Sequence, residues 1–192
     1  MFLRIMLASL LVAALVSPPV VCAETPPVNR QNSRDTARPE SGVSYQVEIS
    51  IGRNLLTLYE ITAAAERVPV AEYSVGTAVA GLKTYPLGPG KVTGIYFNPW
   101  WYPTPYSRRV FRGRGIELPT AVPPGHPLNY MGPFKIALSH STWKGAIYRI
   151  HGNNNPKRVG RRVTGGCFVM DNADGLALAR RIKVGTVVNI VH

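Results

Sequence analysis

From Tyr45 to the end of the chain the apolar residues come in short runs, and glycine, proline or asparagine interrupts nearly every one of them. Tyr45-Gln46-Val47-Glu48-Ile49 and Leu55-Leu56-Thr57-Leu58-Tyr59 flank Gly52-Arg53-Asn54, the pattern of a β-hairpin. Such a rhythm suits strands joined by turns and leaves little room for helices. Further strands are expected at 68–75, 91–97, 133–138, 146–150, 166–170 and 186–191. One helix is expected, over about 172–182, with Asp171 or Asn172 as N-cap and Leu176, Ala179 and Ile182 on one face. Arg180, Arg181 and Lys183 sit near its negative C-terminal end, and Gly185 is expected to stop it. Between Tyr85 and Pro127, prolines 86, 89, 99, 103, 105, 119, 123, 124 and 127 alternate with aromatic residues, which favours long structured loops. The fold expected is therefore mainly β: a single domain, sandwich or barrel, with one helix toward the C-terminus and long Pro-rich loops. About 150 residues suffice for one core and not for two ordinary domains.

Ahead of this domain lie two segments of different texture. Residues 1–23 carry one cation, Arg4, then an apolar run from Ile5 to Val16 and a small-residue exit at Val21-Cys22-Ala23, as in a cleaved secretory signal. The run is short for a membrane span, and Pro18-Pro19 interrupts it. Pro19-Val20-Val21-Cys22 matches a lipid-attachment site poorly. Residues 24–43 are polar and proline-rich, the composition of a flexible linker. The reading is thus signal peptide 1–23, linker 24–43 and folded domain 44–192, exported to the periplasm.

Export gives meaning to the cysteines. Cleavage after Ala23 leaves Cys167 as the only one, so no internal disulfide can form and a thiol persists in an oxidising compartment. It closes the string HGNNNPKRVGRRVTGGC, which begins at His151. A thiol must lose its proton to become a nucleophile, and histidine is the usual base. Gly165 and Gly166 allow the backbone to bend so that amide N–H groups, including that of Cys167, face an oxyanion on an attacked carbonyl. No second cysteine or paired histidine lies at metal-ligand spacing, so neither metal nor other cofactor is expected.

His151-Gly152, Gly160 and Thr164-Gly165-Gly166-Cys167 together resemble the signature of the L,D-transpeptidase catalytic domain family (YkuD-like, ErfK/YbiS-type). The resemblance extends over about residues 44–192, through TYPLGPGKVTGIYFNPWWYPTP, AIYRIHG and MDNADGLALARRIKVGTVV. It implies an acyltransferase with Cys167 as nucleophile, His151 as base oriented by a backbone carbonyl, Thr164 bracing the loop, and the N–H groups of Gly166 and Cys167 stabilising the oxyanion. The implied donor is a peptidoglycan tetrapeptide stem that loses D-alanine. The acceptor is a diaminopimelate amine on another stem, or a lysine of an outer-membrane lipoprotein. Water as acceptor makes the protein an L,D-carboxypeptidase, and a weak site makes it a peptidoglycan-binding protein. Acylation of Cys167 by carbapenems is a further implication.

Two departures from the family pattern stand out. Gly165 occupies a position where many members carry histidine, and Val169 stands where an arginine is usual. Arg161, Arg162 and Arg149 are candidate substitutes, and restoring arginine at position 169 is expected to raise turnover. His140 and Trp101 are further candidates for the cleft. Trp100, Trp101, Tyr102 and Tyr106 either line it or fill a small core beneath the loops. The chain carries 22 Lys and Arg against 10 Asp and Glu, a net charge of +12. Clusters at Arg108, Arg109, Arg112 and Arg114, and at Lys157, Arg158, Arg161 and Arg162, call for an anionic partner. For an exported protein that partner is the cell wall or an anionic membrane surface, not nucleic acid. The mature chain is expected to be monomeric, without a transmembrane span.

Overall fold

The computed structural model of the protein describes residues 43–81, 85, 87–141 and 147–192. Residues 1–42, with the expected signal peptide and nearly all of the linker, lie outside them. The expected hairpin is present: β1 (Ser44–Ser50) and β2 (Leu55–Ile61) pair antiparallel from Ser44↔Ile61 to Ser50↔Leu55. Asn54 turns at φ 53°, which asparagine tolerates better than most residues. β3 (Arg67–Ser74) pairs with β2, and β10 (Val187–Val191) runs parallel to β1 on its other side.

The organising strand is β5 (Gly88–Phe97), which changes partner halfway. Gly88 to Lys91 pair with β10, whereas Val92 to Phe97 pair with β6 (Phe134–Ser141), and the register shifts between Val92 and Gly94. Such an irregularity lets a sheet turn a corner and close on its own core. β7 (Ile147–His151) and β9 (Phe168–Val169) complete an eight-stranded sheet of order β3-β2-β1-β10-β5-β6-β7-β9. Both halves feed one core: Val47, Ile49, Leu56 and Leu58 from one, Val92, Phe134, Ile136, Leu138, Ile150 and Phe168 from the other. The fold is mainly β, as expected.

The C-terminal helix, here α2 (Asn172–Arg181), takes Asp171 as its N-cap, whose Oδ1 accepts from the Ala173 and Asp174 amides at 2.8 and 3.4 Å. It buries Gly175, Leu178 and Ala179. It ends before Gly185, because Ile182 is already extended; Gly185, at φ 94°, turns the chain into β10 instead. The strand expected over 166–170 shrinks to β9, since Gly166 at φ 138° bends the residues ahead of it.

A second helix, α1 (Pro105–Arg112), interrupts the Pro-rich region that was expected to be loop. Its signal lies at its start rather than in apolar periodicity. Pro105 stands in the first turn, where its missing N–H costs nothing, and the Thr104 hydroxyl accepts from the Ser107 amide at 3.1 Å. Phe111, its one buried side chain, joins Trp101, Leu118 and Val122 in a small separate core, flanked by Leu128, Tyr130 and Met131. Trp101 is 5% exposed and stacks near Tyr130 and Phe111, so it belongs to this core and not to a substrate cleft. Two short strands were also not foreseen: β4 (Thr77–Ala78) and β8 (Arg162–Thr164), which pair with each other.

Candidate active site

β7 and β9 run parallel and in contact, with Ile150 opposite Phe168 and His151 opposite Val169. His151 ends β7, and Cys167 immediately precedes β9, two positions before the residue opposite His151. Parallel strands are about 4.8 Å apart and rise about 3.3 Å per residue, so the two Cα atoms stand roughly 8 Å apart. The sheet therefore brings near each other the two chain positions, His151 and Cys167, that sequence places 16 residues apart.

His151 is buried, 4% exposed. Burial, which disfavours its charged form, pushes its pKa down to about 4 against the opposing bond to Gly152 O; Arg158 and Arg149 push it down further, and the Tyr130 carbonyl raises it. The imidazole is thus neutral near pH 7. Its Nδ1 bonds Gly152 O at 2.7 Å, so Nδ1 carries the proton and Nε2 the lone pair. The orienting group is a main-chain carbonyl of the neighbouring residue.

The nucleophile loop is closed by Thr164, which is 2% exposed. Its hydroxyl donates to Cys167 O at 2.7 Å and accepts from the Gly166 N–H at 3.2 Å, spanning the turn. This corrects one expectation: the Gly166 N–H is spent on Thr164 and does not face an oxyanion. Gly166 is needed for its backbone, at φ 138°. Gly165 is needed for space, because a Cβ there would lie 2.9 Å from ring atoms of Tyr106. Helix α1 thereby lays Tyr106 over the loop two residues from Cys167.

A splint unseen in the sequence holds the loop from both sides. Gly76 exchanges two main-chain bonds with Val169, at 2.7 and 2.9 Å, while Thr77 and Ala78 pair along β8 up to Thr164. Behind His151 a second clamp operates. Asn153, 4% exposed, donates through Nδ2 to Met170 O at 2.7 Å, and its main chain exchanges bonds with the Asn172 side chain at 2.8 and 3.0 Å. Gly152 packs so closely on Asn172 and Pro133 that no side chain fits. Asn153 follows the His-Gly pair directly in sequence, but nothing in its surroundings there distinguishes it from Asn154 and Asn155.

The other candidates sort differently. Arg161 and Arg162 are exposed, on and before β8. Arg149, half-buried on β7, lies one position before the level of Phe168 and acts on His151 and Lys135. His140 bonds Gly88 O at 3.1 Å and stands five residues along β6 from Lys135, the partner of His151, or roughly 16 Å away, so it does not join the site. Val169 is fully buried, and its Cβ lies close beside Gly76. The arginine that does approach is Arg158, whose guanidinium carbon lies 4.7 Å from the Tyr130 ring centre. Among the described residues no cluster of three or more His, Cys, Asp or Glu could hold a metal ion, and no helix is long and apolar enough to cross a membrane.

A curled, mainly β domain presenting a thiol and a neutral imidazole from adjacent parallel strands defines a candidate acyl-transfer centre. The L,D-transpeptidase catalytic domain model (YkuD) matches residues 44–190, and the chain belongs to that family. It is 36% identical over 126 residues to the probable L,D-transpeptidase YcfS of Escherichia coli, covering 64% of this chain and 38% of the relative. To the probable L,D-transpeptidase ErfK/SrfK of the same organism it is 41% identical over 122 residues, covering 64% and 37%. The chain thus matches little more than a third of these relatives' lengths. In fold it is similar to the helical cell shape determining protein Pgp2 from Campylobacter jejuni, with TM-score 0.51 and 16% identity over 78% of this chain and 48% of the other.

Proposed function

We propose that this protein is an exported L,D-transpeptidase that acts on peptidoglycan tetrapeptide stems through Cys167. The observation that carries the reading is the β7–β9 register, which sets Cys167 beside a buried, neutral His151 whose orientation is fixed by Gly152 O. His151 Nε2 takes the thiol proton as Sγ attacks the carbonyl of the diaminopimelate L-centre. The C–N bond to D-alanine then breaks, the proton passes from the imidazolium to the leaving amine, and a thioester remains. An amine attacks the thioester, loses its proton to His151 and restores the thiol. With the Gly166 amide engaged by Thr164, the tetrahedral oxyanion is assigned to the Cys167 amide.

Residues 1–23 serve as the export signal in this reading, and the periplasm is the working compartment. The amine is a diaminopimelate side chain of a second stem or a lysine of an outer-membrane lipoprotein. The test is product analysis after incubation with purified disaccharide-tetrapeptide. Free D-alanine with dimeric muropeptide supports transfer, and D-alanine with tripeptide alone makes the protein an L,D-carboxypeptidase. No D-alanine from folded protein that still sediments with the wall leaves it a binding protein.

A further inference from the structure

Arg158 ends the short 3-10 turn Pro156–Arg158, in the segment that joins the histidine to the cysteine. Its side chain folds inward: the guanidinium stacks on Tyr130, and Nη1 is fully buried with no hydrogen-bond partner. Its backbone is equally fixed, because Gly76 lies directly against the Arg158 carbonyl with no space for a Cβ. Four groups face this guanidinium electrostatically. Burial pulls its pKa down, Tyr130 and Cys167 favour its charge, Arg114 opposes it, and His151 is held neutral partly by it. Among the acidic residues, Glu117 is engaged with Arg112, Asp171 caps α2 and Glu48 pairs with Arg67.

A half-buried cation with one fully buried, unpaired N–H is costly, and a second guanidinium nearby adds repulsion. An arriving carboxylate removes both penalties, since its two oxygens match the fork of an arginine. In an acyl donor, the carboxylate of the residue that leaves is only three bonds from the carbonyl carbon under attack. A cation that binds it must therefore stand near the nucleophile; the Arg158 carbonyl packs against Gly76, which pairs with Val169 two residues after Cys167, and the guanidinium interacts electrostatically with Cys167. Resting on the acyl-transfer reading of this site, we propose that Arg158, backed by Arg114, is the subsite for the C-terminal carboxylate of the donor peptide. It selects stems in which the bond to be broken is the last one.

The test separates binding from chemistry. Tetrapeptide with a free C-terminal carboxylate and the same peptide as its carboxamide are titrated calorimetrically into the Cys167→Ala chain, with Arg158 intact, as Arg158→Lys and as Arg158→Gln. The acid is expected to bind the Arg158 protein about 10- to 100-fold more tightly than the amide. Arg158→Gln abolishes that preference, and Arg158→Lys restores part of it. Equal loss of both ligands, an unchanged preference in Arg158→Gln, or no preference at the outset overturns the subsite. Thioester formation by the Cys167 chain is scored separately. An acyl adduct formed without acid-over-amide preference refutes the subsite and leaves the transpeptidase reading standing, and preference without an adduct does the reverse.

Discussion

Acid should unfold this protein partly through one residue. In the folded chain the His151 pKa lies near 4, because the ring is buried and faces Arg158 and Arg149; in the unfolded chain it returns to about 6.5. Above pH 6.5 the ring is neutral in both states and stability does not depend on it. Between pH 6.5 and 4 the unfolded chain binds the proton and the folded one does not, so stability falls as pH falls. The gap is worth on the order of 3 kcal/mol by pH 4, or roughly 10 °C in Tm for a domain of this size. Urea unfolding at pH 7, 6, 5 and 4 should therefore show the wild-type chain losing about 3 kcal/mol more than His151→Gln, whose side chain is neutral throughout. The comparison cancels the exposed pairs Arg67–Glu48 and Arg112–Glu117, which both chains share. Parallel curves, agreeing within about 0.5 kcal/mol, refute the reasoning. They would mean that water or a nearby charge reaches the imidazole and keeps its pKa ordinary.

Other outcomes follow from the same contacts. Thr164→Val keeps the side-chain shape but strands the Gly166 N–H and the Cys167 carbonyl; it should cost about 1–3 kcal/mol by thermal melting and lower acyl transfer at least 10-fold. Val169→Arg, attractive from sequence as a repair, forces a cation into a fully buried position against Gly76; it should lower Tm by several degrees and reduce turnover, and a rise in turnover contradicts this. Gly175→Ala places a methyl group inside the Phe134 ring contact that seats α2 on the sheet, and differential scanning calorimetry should register a loss of about 1–3 kcal/mol.

What could be read from the chain beforehand divides along the range of the interactions involved. The β1–β2 hairpin and the N-capped α2 are local features, written in adjacent residues, and they appear where expected. Helix α1 is also local, but its signal is Thr104-Pro105 with Ser107, a cap rather than a periodic face, since Phe111 is its one buried residue. The splint from Gly76 to Ala78 and the Asn153–Asn172 clamp are nonlocal: each joins segments at least 19 residues apart, and neither partner carries an unusual neighbourhood in sequence. The same holds for the cations. Arg161 and Arg162 lie nearer Cys167 in sequence than Arg158 does, yet β8 turns them to solvent while the 3-10 turn folds Arg158 back onto Tyr130. Trp101 looked like a cleft residue because aromatic rings among prolines suit either role; only the packing with Phe111 and Tyr130 decides.

The central claim is that Cys167 accepts the acyl group, and intact-mass spectrometry of the protein after mixing with disaccharide-tetrapeptide tests it most directly. The account predicts a mass increase equal to the donor less D-alanine, present on the wild-type chain, absent from Cys167→Ala and greatly diminished in His151→Gln. An adduct that persists in Cys167→Ala, or none on folded wild-type protein across pH 6 to 8, contradicts it.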